Sequence, residues 1–126
     1  MLSPRARTTI AWGCALVLGA VFLVQGGTKL FGAQFERDAF ARWHYAAWFM
    51  YVAGAIEVLG AVVVLVPQTR PKGAVLLTAM MLGAMGTHLY WKEFLSVFLP
   101  LALLVIAVTI IVLERNRFLK RVISAS

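Results

Sequence analysis

Between its charged residues this chain leaves uncharged stretches of 21 residues (Thr8 to Thr28), 19 (Gly73 to Trp91) and 20 (Phe94 to Leu113). A fourth stretch, the 27 residues from Trp43 to Thr69, is interrupted by Glu57 alone. A helix crosses the hydrocarbon of a bilayer with about 20 apolar residues, because in lipid every backbone N–H and C=O must be satisfied within the segment. Four spans follow, at about 9–30, 46–66, 73–90 and 94–113, and they leave no room in 126 residues for a separate soluble domain. The expected fold is all-α, an integral membrane four-helix bundle forming one domain over residues 1–126. Composition agrees, since 62% hydrophobic and 13% charged residues is far from the mix of a soluble domain.

A net charge of +7 would suit nucleic acid if the basic residues formed one patch. Here they sit at span ends and in short connections, so the bilayer is the expected partner and nucleic acid is not. Four spans put both termini on one side. That side receives Arg5, Arg7, Arg70, Lys72, Arg115, Arg117, Lys120 and Arg121 against Glu114, and the other receives Lys29, Arg37, Arg42 and Lys92 with Glu36, Asp38 and Glu93. Lys and Arg accumulate on the cytoplasmic side, so the expectation is a multi-pass protein of the inner (plasma) membrane with both termini cytoplasmic. The first apolar stretch exceeds a typical signal-peptide core and no A-x-A site closes it, so span 1 is expected to be retained. One cysteine, Cys14, excludes an internal disulfide and reads as a small packing residue.

The connections are short. In "PQTRPKG" Pro67 and Pro71 are expected to end span 2 and Gly73 to free the next start, while "WKEF" turns span 3 into span 4. The long first outer loop, "FGAQFERDAFARWHYAAW", places Phe31, Phe35, Ala39, Phe40 and Trp43 at helical spacing, with Asp38 and Arg42 as an i, i+4 ion pair. It is expected to form a short amphipathic outer-loop helix. Trp43, Tyr45, Trp48, Tyr51, Tyr90 and Trp91 lie near the outer boundaries, where amphipathic rings anchor.

An acid at the centre of a membrane helix costs about 2.5–3.5 kcal/mol on insertion scales, so Glu57 requires polar company. Ala53, Gly54, Gly60 and Ala61 share its side of the helix and let a neighbouring helix approach, which turns Glu57 inward. Span 3 carries a similar seam in Ala79, Gly83, Gly86 and Thr87 leading to His88. The run Gly27-Thr28-Lys29-Leu30 at the end of span 1 recurs as Gly86-Thr87-His88-Leu89 at the end of span 3. Side chains lean toward the N-terminus of their own helix, so Lys29 and His88 lean into the membrane and Glu57 leans toward them. Glu57 lies roughly 15 Å below the start of its span, a gap that Lys29, or Gln25 one turn deeper, can shorten. The ligand-binding candidates are therefore Gln25, Lys29, Glu57, Thr87 and His88, with Glu57 and His88 the candidate catalytic, proton-exchanging groups. No phosphate loop, nucleophile elbow or metalloprotease motif is present, no metal site is expected, and His44 in the outer loop is expected to be solvated.

The stretches "QGGTKLFGAQF" (25–35), "GAIEVLGAVVVLVP" (54–67) and "AVLLTAMMLGAMGTHL" (74–89) together resemble the DoxX-like family of small four-span membrane proteins. Gly26, Lys29, Gly54, Glu57 and His88 match the family pattern. The resemblance implies relatives among membrane redox systems that pass electrons to quinone, a component of an oxidant-detoxifying membrane complex, and chaperone-like proteins. The chain carries no redox centre of its own, so an oxidoreductase role requires a bound quinone or a partner subunit. Two functions are therefore expected in competition. One is the membrane subunit of a quinone-linked oxidoreductase with a polar pocket around Glu57. The other is a non-catalytic assembly or chaperone subunit that docks partner membrane proteins or a second copy of itself.

Overall fold

The computed structural model describes residues 2–125, and their side chains as far as Arg115. Helix α1 spans Pro4–Leu30, α2 Gln34–Arg42, α3 Ala47–Leu65 and α4 Arg70–Tyr90; a 3₁₀ turn at Phe94–Val97 leads into α5, Phe98–Ala125. The four long helices are each apolar and long enough to cross a membrane, and α2 is the short helix of the first connection.

Local chemistry sets the ends. Ser3 caps α1 by accepting the Ala6 N–H at 3.1 Å, and Pro4 occupies the first turn, where a missing N–H costs nothing. Pro71 behaves the same way in α4. The helix starts at Arg70, three residues before Gly73, so Pro71 opens a helix where it was expected to close one. Gly73 acts through packing. A Cβ there would lie 2.5 Å from the Val64 nitrogen, so the bare glycine lets the two arms of the α3–α4 hairpin touch backbone to backbone.

The helices pack in chain order around the bundle, α1 on α3, α3 on α4, α4 on α5, and α5 back on α1. Phe22, Leu18, Ala61, Val64, Leu77, Ala107 and Ile110 form a close-packed core in the half nearer the chain termini. Large apolar side chains such as Leu16, Val24, Leu59, Leu82 and Val105 point outward. In water that would be a liability, but in a bilayer it is the ordinary lipid-facing surface, and packing between helices then rests on van der Waals contact and polar groups.

Arg70, assigned by sequence to a charged connection, is buried. Its Nε donates to the Val64 carbonyl at 2.9 Å, its guanidinium sits 4.2 Å from the Trp12 ring centroid, and Nη1 lies 3.6 Å from Glu114 Oε1. This cluster ties α1, α4 and α5 together at the end of the bundle away from α2.

Candidate functional site

The half of the bundle beneath α2 is hollow. A cavity of about 620 Å³ is lined by residues of every helix, including Gln25, Lys29, Glu36, Glu57, Thr87 and His88 among mostly apolar neighbours. That volume lies in the range that holds small organic ligands.

Lys29 is the hub of its polar end. Its Nζ lies 3.0 Å from Glu57 Oε1 and 3.1 Å from Glu36 Oε2, and all three side chains are largely buried. The reach is made possible by two glycines. A Cβ on Gly54 would meet the Lys29 Cβ at 2.7 Å, and one on Gly26 would meet the Gly54 carbonyl oxygen at 2.7 Å. The α1 and α3 backbones therefore touch one turn from Glu57, and the lysine stem descends along α3 to the acid. Thr28 Oγ1 lies 2.8 Å from the Gln25 carbonyl and 3.1 Å from Glu36 Oε2, so its single proton serves two acceptors.

A second polar cluster closes the other end of α2. Glu93, in the α4–α5 turn, receives Trp43 Nε1 at 3.1 Å and Arg42 Nε at 3.0 Å, and its Oε1 lies 2.9 Å from His88 Nδ1. Tyr45 Oη stands 2.7 Å from Thr87 Oγ1, which itself donates to the Gly83 carbonyl. The anticipated Asp38–Arg42 pair does not form. An exposed i, i+4 pair contributes only a few tenths of a kcal/mol, and Arg42 gains more from a carboxylate already held by two other groups. Asp38 accepts from Gln34 instead, at 2.8 Å.

The structure thus brings Lys29 and Glu57 into direct contact and lines one cavity with all five sequence candidates, but His88 takes Glu93 as its partner and not Glu57. The two short repeats behave alike: in each, the threonine bonds back to its own helix and the basic residue takes a carboxylate. Gly83 and Gly86, expected to form a helix-packing seam, face open space. Sequence reasoning missed Glu36, Tyr45 and Glu93. Glu36 was within reach, because it lies i−4 from Phe40, and those are the two buried residues of α2, whereas Phe31 and Phe35 of the anticipated apolar stripe are exposed.

The hydrogen bond to His88, aided by those from Arg42 and Trp43, holds the Glu93 carboxyl below the ordinary carboxylate range, with partial burial opposing. A lowered folded-state value means that the contribution of Glu93 is present above the ordinary carboxylate pKa and lost as pH falls through the lower one. Hydrogen exchange of residues 40–46, corrected for its intrinsic pH dependence, is therefore expected to quicken on acidification through that window. The Glu93→Gln variant should exchange fast throughout, without the pH step. A wild-type protein whose exchange shows no such step would refute the assignment.

No curated protein and no solved structure matches the chain. Residues 14–110, from within α1 to within α5, match the sequence model of one family, and the stretch contains both polar clusters and the whole cavity lining. With four apolar helices around that lining, the protein is a multi-pass membrane protein belonging to the DoxX-like family.

Proposed function

We propose that this protein is a membrane subunit that binds a lipophilic small molecule in the cavity beneath α2, as part of a quinone-linked oxidoreductase system. The observation that carries the reading is the Lys29–Glu57 pair lining a cavity of ligand size within the bundle. A charge pair in that position is costly to insert, and intramembrane ionisable groups that line a cavity serve ligands or protons as a rule. A quinone ring fits the volume and the aromatic lining of Phe40, Trp43 and Phe49. When bound, it would supply the redox chemistry that the side chains lack. Lys29 is the donor for a head-group oxygen, and Glu57 and His88 are the groups to hold or accept a proton, within a mostly apolar lining. The excess of Lys and Arg near the termini supports the orientation in which α2 faces outward and both termini are cytoplasmic.

The test is photo-crosslinking with an azido-quinone. Labelling is expected in peptides containing Glu57 and His88 and should fall at least several-fold in Glu57→Gln; unchanged labelling would sink the reading.

One observation favours the assembly-subunit alternative. Gly83 and Gly86 present small residues with nothing packed on them, the kind of surface on which a partner helix can seat. A bulky replacement at Gly86, which lies outside the cavity lining, would then release a co-purifying protein while leaving crosslinking at Glu57 intact.

A further inference from the structure

The charged side chains lining the cavity are one ammonium, Lys29, and two carboxylates, Glu36 and Glu57. Both acids compete for the same Nζ, at 3.1 and 3.0 Å. Among the described residues Lys29 is the sole ionic partner of each, and it meets only Oε1 of Glu57. Glu57 is 3% exposed and lines the cavity. The remaining ion pairs near α2 do not correct the imbalance, since Glu93 takes Arg42 and His88 for itself. With both carboxyls ionised, the cavity wall would carry one formal negative charge in excess, in surroundings where Coulomb interactions are strong.

The cavity lining is also aromatic. Phe40, Trp43, Tyr45 and Phe49 all line it and touch one another edge to face or tilted, with ring centroids 5.2–6.2 Å apart. Faces of such rings attract cations, as the Trp43 ring already holds the Arg42 guanidinium 5.5 Å from its centroid, and rings near a carboxylate, as Phe40 is one turn from Glu36, suit substituted ammonium groups. Phe49, Ala53 and Glu57 line the cavity from successive turns of α3, so rings and acid stand about 12 Å apart along one face, with Glu36 of α2 contributing to the same lining.

We propose that the cavity binds lipophilic organic cations, with an alkylated ammonium head between the Glu57–Glu36 carboxylates and the Phe40–Tyr45–Phe49 rings. A proton shared between Glu36 and Glu57 would also cancel the charge, and in that case a cationic ligand would gain nothing over an uncharged one of the same shape. The proposal rests on the cavity being a ligand site and goes beyond the quinone-linked reading, because a quinone head offers acceptors and leaves the excess carboxylate unanswered.

The test uses the full-length protein in a non-ionic maltoside detergent and two fluorescent probes of one shape. One ends in trimethylammonium and the other in the uncharged tert-butyl isostere. Anisotropy titrations are expected to give about tenfold tighter binding of the cation. The preference should collapse toward one in Glu57→Gln and, should that variant fold poorly, in Glu36→Gln. Phe49→Leu, which keeps the wall apolar, should weaken the cation two- to fivefold and leave the isostere unchanged. Equal binding of the two probes, or a preference that survives both carboxylate variants, overturns the proposal. If neither probe binds but a short-chain quinone does, the cation proposal fails and the lipophile reading stands. If none of the three binds, both fail.

Discussion

Lys29→Met is expected to destabilise the protein by about 3–5 kcal/mol, the loss measured when one partner of a buried ion pair is removed. Methionine keeps the apolar stem that runs past Gly54 and removes the charge that answers two carboxylates. Glu57 and Glu36 would then face each other without a cation, and α2 would lose the fastening at its N-terminal end. Thermal unfolding in detergent measures the loss directly. A second substitution tells charge from shape: Lys29→Met with Glu57→Gln should recover a large part of the stability, since an amide in place of the carboxylate carries no uncompensated charge. Equal stability of the single and double variants would show that the pair contributes nothing beyond packing.

Gly26→Ala is expected to cost about 2–3 kcal/mol, toward the upper part of the overpacking range. Its Cβ would stand 2.7 Å from the Gly54 carbonyl oxygen and 3.0 Å from the Val58 nitrogen, and backbone atoms of a helix cannot move aside as a side-chain tip can. Relief requires α1 and α3 to separate, which lengthens the path from Lys29 to Glu57, so loss of stability should be accompanied by loss of ligand labelling. Gly83→Ala is the matched control. Nothing lies within 4 Å of its added methyl and alanine is the better helix former, so it should be no less stable than the parent. If both variants behave alike, the close crossing of α1 and α3 has been misplaced.

The architecture was legible because the bilayer imposes one rule on every span, and charge spacing reports it directly. Helix α2 was legible for a weaker reason, the recurrence of Phe40 and Trp43, and its face came out about one residue askew. The small residues around Glu57 announced which way it turns, and burial of Ala53, Gly54, Gly60 and Ala61 agrees. The same argument failed for Gly83 and Gly86, because small residues permit close approach without requiring it. Spacing along one helix also cannot show which acid a distant base will choose. Lys29 was matched to Glu57 by depth, whereas its second partner, Glu36, and the Glu93 that claims His88 lie in connections whose path only the folded chain reveals. Arg70 illustrates the opposite error: a charge next to prolines in a short turn looks solvent-bound, yet its long side chain folds back over Trp12.

The bundle is close-packed at one end and holds a partly open pocket at the other, with the Phe22–Ile110 core nearer the termini and the pocket beneath α2. Dense interiors resist compression and voids yield to it. The Arg70 end is therefore the stiff one, and any adjustment to an occupant falls to the α2 half.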